Sequence, residues 1–335
     1  MDLFELTRTL IDIESITGNE EGVGDYLFAH LSELAARPQG WVEKMEVAPR
    51  RFNVFARWGE PVVTLSTHMD TVPPHVACRE DAERIWGRGA CDAKGIIASM
   101  IQAARQLLEA GERNFGLLFV VGEEKNSAGA LAAARAPRGS RYLINGEPSD
   151  NQLALGSKGA LRYEVTASGK MAHSAYPELG ESAIDKLLDV LQAIRGIPLP
   201  VDPVLGPGTL NIGTIAGGRA PNVVADSACA EVMFRLVDDA DPLREAVASA
   251  AAGRANAREV LCIPAITLGA LPGFDTTVVA YTSDIPAFGG AWGKPYLVGP
   301  GSIHVAHTLE EHVTKRQLVE AVEIYESMVR ELLTA

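Results

Sequence analysis

Pro61-Val62-Val63-Thr64-Leu65-Ser66-Thr67-His68-Met69-Asp70-Thr71-Val72-Pro73 is the stretch that decides how the rest of the chain reads. Its apolar start, residues 61–65, predicts a buried strand. His68 and Asp70 then fall where strand gives way to loop. In open α/β sheets ligands bind at that edge. A structural histidine at a strand end would leave the same trace, so the meaning of the pair rests on the segments around it.

The same arrangement recurs on both sides. Upstream, residues 2–14 predict an amphipathic helix with Leu3, Leu6, Leu10 and Ile13 on one face. Thr17 reads as the cap of a second helix over 19–35, with Glu20 completing a capping box. Residues 52–57 are strand-like. Downstream, the Gly-rich segment 87–95 opens a helix whose Ile96, Ile97, Met100, Ile101, Ala104, Leu107 and Leu108 recur at helical spacing, and Gly111 ends it. The apolar run Leu117-Leu118-Phe119-Val120-Val121 predicts a central strand ending in Gly122-Glu123-Glu124. A shorter strand over 142–146 ends in Glu147-Pro148. Strands alternating with helices predict an α/β domain: a mixed, mostly parallel sheet with helices on both faces.

After residue 157 the texture changes. Residues 160–169, 209–218 and 228–237 are β-rich, and helices are predicted over 181–195 and 241–252. That order is characteristic of a small α+β, ferredoxin-like unit. Near 265 the α/β pattern returns and closes in a helix over 315–333. The expected organisation is one domain from 1–157 and 265–335, with 158–264 inserted as a lid or dimerisation domain.

The 335-residue length accommodates two domains, and 47% hydrophobic with 22% charged residues is a globular composition. A net charge of −13 disfavours nucleic acid and anionic membranes as partners. Cys78, Cys91, Cys229 and Cys262 form no Cys-x-x-Cys pair, and thiols in a cytosol are their expected state. The first residues lack the basic and apolar regions of a secretory signal, and no run of about 18 apolar residues occurs. The expected location is the cytoplasm.

His68, Asp70, Asp92, Glu123, Glu124, Glu147 and His307 all fall at loop positions. Such a set of oxygens and imidazoles suits zinc, cobalt or manganese. A single catalytic zinc takes three protein ligands, whereas paired ions share a carboxylate and activate one water between them. Each residue also has an ordinary reading. Glu123-Glu124 could be a solvated turn, Asp92 an Asx-turn or helix cap, and Glu147 plain turn chemistry before a proline. The recurrence at successive strand ends favours one shared site for two ions.

The quoted motifs resemble, in order and over nearly the whole length, the M20 family of metallo-aminoacylases and peptidases. Ser66-Thr67-His68-Met69-Asp70 resembles its first metal motif, and Gly87-Arg88-Gly89-Ala90-Cys91-Asp92-Ala93-Lys94-Gly95 its second. Gly122-Glu123-Glu124, Gly146-Glu147-Pro148 and the segment 299–308 correspond to the remaining three. The resemblance implies two divalent ions, most readily zinc, with cobalt and manganese as alternatives. It implies that Asp92 bridges them, that His68 and Glu147 complete one site, and that Glu124 and His307 complete the other. Asp70 would orient His68, and Glu123 would act as general base. His304 lies in the same motif as His307 and stands as the alternative ligand. His75 and His312 have no motif support and are expected at the surface.

The inserted segment also resembles the family's lid. By that likeness His173 stabilises the oxyanion and Asn222 contacts substrate. Arg235 binds a carboxylate, with Lys158, Thr282 and Ser283 as further contacts. Ala225 replaces the proline usual after the lid motif's Asn-Val-Val. Because His173 lies outside the metal domain, domain closure is expected. A lid strand edge or helix face could pair two chains as a homodimer. The resemblance lies closest to the acetylornithine, acetylcitrulline and N-acetyl-lysine deacetylases, implying hydrolysis of an N-acyl amino acid. M20 dipeptidase, carboxypeptidase or succinyl-diaminopimelate desuccinylase is the alternative, and a metal-free binding protein of the same fold a more distant one.

Overall fold

The computed structural model describes residues 2–36 and 40–335; Met1 and residues 37–39 lie outside the described residues. The chain forms two compact units. One comprises Met1–Leu155, Leu268–Thr277 and Ser283–Ala335, the other Gly156–Thr267 and Val278–Thr282.

A six-stranded sheet organises the first unit, in the order Trp41–Ala48, Arg51–Trp58, Phe115–Val120, Val63–His68, Tyr142–Asn145, Lys294–Leu297. Of these strands, Arg51–Trp58 alone runs against the others, and the rest share one direction. Every residue of Val63–His68 and Phe115–Val120 is buried. Phe115–Val120 is apolar throughout, as a strand covered on both faces requires, while Val63–His68 buries Thr64, Ser66 and Thr67 between its apolar residues. Alternate residues serve the two faces. Leu117 and Phe119 join Leu65 and Ile144 in a core with the helices Leu3–Asp12, Lys94–Glu109 and Lys315–Thr334. Leu118 and Val120 point the other way, into a cluster with Ala130 and Ala133 of the helix Ala128–Arg135, Phe288 and Trp292.

Parallel register then does the positioning. His68 pairs with Val120, and Ser66 pairs with both Leu118 and Asn145. Three adjacent strands therefore end at one edge of the sheet, where the loops carrying Asp70, Glu123, Glu124 and Glu147 begin.

Two local expectations fail for physical reasons. The strand Trp41–Ala48, a partly exposed edge strand, was not expected because Glu43, Lys44 and Glu46 interrupt its apolar residues. The helix Glu21–Ala35 has no side-chain cap. Thr17 and Glu20 are drawn to tertiary partners instead: Thr17 Oγ1 donates to Asp70 Oδ2 at 2.8 Å, and the buried Glu20 carboxylate pairs with Arg51.

The second unit is an antiparallel sheet in the order Thr209–Gly217, Ser227–Leu236, Gly159–Ser168, Asn256–Ile263. Strands and the helices Ala183–Arg195 and Asp241–Ala251 alternate as β-α-β-β-α-β along the chain. The strand Asn256–Ile263, mostly exposed and not singled out in the sequence, completes the ferredoxin-like order. Leu161, Val165, Val232 and Phe234 face Leu187, Val190, Ile194 and Val247 in its core. Among the described residues no helix of either unit is long and apolar enough to cross a membrane.

The closing helix starts at a capping box. Gln317 N–H donates to Thr314 Oγ1 at 3.1 Å, and the Thr314 N–H donates back to Gln317 Oε1 at 3.4 Å. Replacing Thr314 by Ala removes an acceptor for an orphan helix N–H and should lower unfolding free energy by about 1 kcal/mol. Urea unfolding followed by circular dichroism reads this directly, and an unchanged midpoint would contradict the capping assignment.

Candidate metal centre

His68 is the last residue of its strand and is buried. Its Nδ1 lies 2.9 Å from the backbone carbonyl of Asp70. A carbonyl only accepts, so Nδ1 carries the hydrogen and Nε2 is turned toward Asp92 Oδ1, 2.9 Å away. That is the tautomer a histidine needs to offer Nε2 to a cation. Burial alone would lower the imidazole pKa, but hydrogen bonds to Asp70 and Asp92 hold it well above its ordinary value.

The Asp70 carboxylate is fully buried. Oδ1 sits 3.6 Å from His68 Nδ1 and accepts the N–H groups of Gly122 at 2.9 Å and Glu123 at 3.1 Å. Oδ2 accepts from Thr17 Oγ1 and from the Glu124 N–H at 3.3 Å. Asp70 therefore does more than stand behind His68, because it gathers the backbone of the Glu123-Glu124 turn. Gly122, with φ +84°, makes the bend that lets consecutive N–H groups converge on it. Burial pushes the Asp70 carboxyl upward, yet these hydrogen bonds keep it below the usual range.

Asp92 has its two oxygens turned to different histidines. Oδ1 meets His68 Nε2, and Oδ2 lies 3.3 Å from His307 Nε2. His307 Nε2 is also 3.0 Å from Glu124 Oε1. His307 reaches this point from a left-handed backbone position, φ +64°, with its side chain half exposed. Hydrogen bonds to Asp92 and Glu124 push its pKa up to about 10. Burial raises the Asp92 carboxyl, but contacts with both histidines more than reverse that, leaving it far below the carboxylate range.

Glu147 is buried, and its Oε1 has no hydrogen-bond partner among the described residues. Its carboxyl is pushed well above the usual range, first by burial and then by the net charge of Asp92, Glu124 and Asp284, against the opposing pull of His68. Glu123 is driven the same way by burial and by Glu147. These groups fit divalent cations. Ligand atoms of His68, Asp92 and Glu124 lie within 4.8 Å of one another. An orphaned carboxylate oxygen faces the same charges, and protons are drawn to the imidazoles where cations would otherwise compensate the carboxylates.

The structure thus brings His68, Asp70, Asp92, Glu123, Glu124, Glu147 and His307 together within the first unit. His304 is exposed and makes no contact with this group. His75 and His312 lie at the surface, each partly covered; His312 leans on Trp86. Ser283, also in the first unit, is buried and accepts the Ile285 N–H.

In the second unit His173 is exposed, and its Nδ1 accepts the Ala175 N–H at 3.1 Å, leaving Nε2 as the donor. The exposed Asn222 accepts the Ser174 N–H on its backbone carbonyl. Lys158 Nζ donates to the Pro207 carbonyl, and Thr282 is partly buried. Arg235 is partly buried on its strand, with no ion pair or side-chain hydrogen bond among the described residues, and burial lowers its pKa.

Sequence reasoning passed over Asp284 and Glu311. Asp284 is buried, neither carboxylate oxygen has a hydrogen-bond partner within normal distance among the described residues, and burial pushes it up to about 7 against the pull of Ser127. Its signal was a carboxylate next to two residues already singled out. Glu311 lies three residues beyond the segment 299–308 and was given no role.

The chain matches peptidase family M20/M25/M40 over residues 64–331. It is 38% identical to a peptidase M20 domain-containing protein of Schizosaccharomyces pombe, over 98% of this chain and 84% of that one. Identity to a probable carboxypeptidase of Ajellomyces dermatitidis is also 38%, covering 98% of this chain and 86% of its relative. A tripeptidase of Staphylococcus aureus has the same fold, with TM-score 0.80 at 21% identity over 99% of this chain and 98% of that structure.

Asp70→Asn places an amide N–H against backbone donors and should weaken zinc binding by roughly 10- to 100-fold, the usual cost of disturbing a group behind a metal ligand. Competition with a chromophoric chelator measures this, and unchanged affinity would contradict the role given to Asp70. Zinc returned to chelator-stripped protein should also raise its thermal midpoint, because an ion that binds only the folded state stabilises it.

Proposed function

The chain belongs to peptidase family M20/M25/M40, hydrolases of amide bonds, and from that premise we propose that it releases an amino acid with a free α-carboxylate from the acyl group on its nitrogen. The C-terminal residue of a peptide and an N-acetyl amino acid are the same chemical object at the scissile bond. The relatives named as carboxypeptidases favour a short peptide as the acyl donor. The N-acetyl-ornithine, -citrulline or -lysine reading from the sequence stands as the second. Arg235 carries the proposal: a partly buried, unpaired guanidinium is costly to keep unless an anion meets it, and its planar fork matches a carboxylate.

His68, Glu147, Glu124 and His307 would hold two divalent ions with Asp92 between them, as its oppositely turned oxygens suggest. When bound, such ions polarise the scissile carbonyl and lower the pKa of water. Glu123 takes the proton from the attacking water and returns it to the leaving amine. Burial beside Glu147 raises its proton affinity. Asp70 holds Glu123 in place through its backbone N–H. By the family resemblance His173, whose Nε2 is the donor, would stabilise the oxyanion.

Glu123→Gln should lower kcat by roughly 10²- to 10⁴-fold while zinc uptake stays unchanged. A mutant that keeps wild-type turnover removes Glu123 from the chemistry. With zinc supplied, dipeptides and N-acetyl amino acids bearing a free carboxylate should be cut, and their C-terminal amides should not. Equal rates on acid and amide would overturn carboxylate recognition, and in Arg235→Ala the preference for the acid should collapse through KM.

A further inference from the structure

Glu311 closes the loop that carries His307, four residues downstream of it, and its side chain is 1% exposed. Oε1 accepts three backbone N–H groups: Gly89 at 2.9 Å, Asp92 at 3.3 Å and Cys91 at 3.4 Å. Oε2 takes Nη1 of Arg88, equally buried, at 2.5 Å. The Glu311 backbone carbonyl accepts the Gly87 N–H at 3.0 Å. Arg88 in turn donates through Nε to the Pro74 carbonyl and through its backbone N–H to the Val76 carbonyl. One ion pair therefore ties together the loop after His68 and Asp70, the loop that presents Asp92, and the loop that presents His307.

A neutral acceptor could have closed these loops. The acceptor here is a carboxylate, set beside Asp92 and paired with the equally buried Arg88. What an ionised acceptor adds is stronger, shorter hydrogen bonds to the peptide N–H groups it holds. Those belong to residues 89–92, so the bonds fix where the Asp92 backbone stands relative to the chain leading back to His307. Gly89, at φ +88°, supplies the conformation that turns its N–H into the cradle.

We propose that Glu311, locked by Arg88, is the positioning residue that sets the separation of Asp92 from His307, so that one carboxylate can serve two ions. The inference rests on the two-ion reading of the site. Its test uses the full chain, stripped with chelator, in an Arg88→Met background that leaves no buried guanidinium unpaired. Glu311→Gln keeps an acceptor oxygen in the cradle, and Glu311→Met deletes it at nearly the same shape. Zinc affinity is read by competition with a chromophoric chelator, and folding by circular dichroism and thermal midpoint.

The Met form should bind its second zinc at least about tenfold more weakly than the Gln form while matching its fold. A merely structural role would move the midpoint and leave the affinities alike, and equal zinc affinities overturn the assignment. If the Met form does not fold, Glu311→Asp in the wild-type background decides. It keeps the charge opposite Arg88 but withdraws the oxygens from the loop, so weaker second-site binding supports the role and wild-type binding overturns it. Wild-type protein that takes up no zinc overturns the two-ion reading itself, and the assignment with it.

Discussion

Carboxyl groups of Asp92, Glu123, Glu124, Glu147 and Asp284 converge on one edge of the sheet, close enough for their charges to act on one another. Two like charges about 4 Å apart repel by about 4 kcal/mol at an effective dielectric near 20. A whole domain is stable by only about 5–15 kcal/mol. A few such pairs left ionised and uncompensated would consume that margin. These contacts hold the pKa values of His68 and His307 above that of an ordinary imidazole, and burial with like charge raises the Glu147 and Glu123 carboxyls. Divalent cations would relieve the same repulsion without neutralising the carboxylates, leaving Glu123 to exchange protons with substrate.

The fold serves this convergence. Parallel strands in matched register end level, so residues far apart in the chain arrive side by side. The loops that follow are then held by buried anions behind the ligands. Asp70 collects the N–H groups of residues 122–124, and Glu311 those of 89, 91 and 92. In both, a carboxylate organises backbone so that neighbouring side chains can face the site.

The chain's own pattern showed the parts with strong local signals. Apolar runs marked Val63–His68 and Phe115–Val120 because both faces of those strands are covered, and periodic helices such as Lys315–Thr334 were legible to within a residue or so. The edge strands Trp41–Ala48 and Asn256–Ile263 were not, since charged residues interrupt their apolar ones and neither strand is buried along its length. The capping box expected at Thr17 and Glu20 gave way to tertiary partners, Asp70 and Arg51, which no local window contains. Within the site, His68, Asp92, Glu124 and His307 stood out as motifs. Glu311 and Asp284 did not, because what distinguishes them is burial and partners rather than spacing.

Zinc placed in crystals of the stripped protein and located by anomalous scattering addresses the centre most directly. Two peaks about 3.5–4 Å apart are expected, one on either side of the Asp92 carboxylate. One peak would lie against His68 and Glu147, the other against Glu124 and His307. A single peak that does not touch Asp92, or none at this edge of the sheet, would contradict a two-ion centre built on that carboxylate.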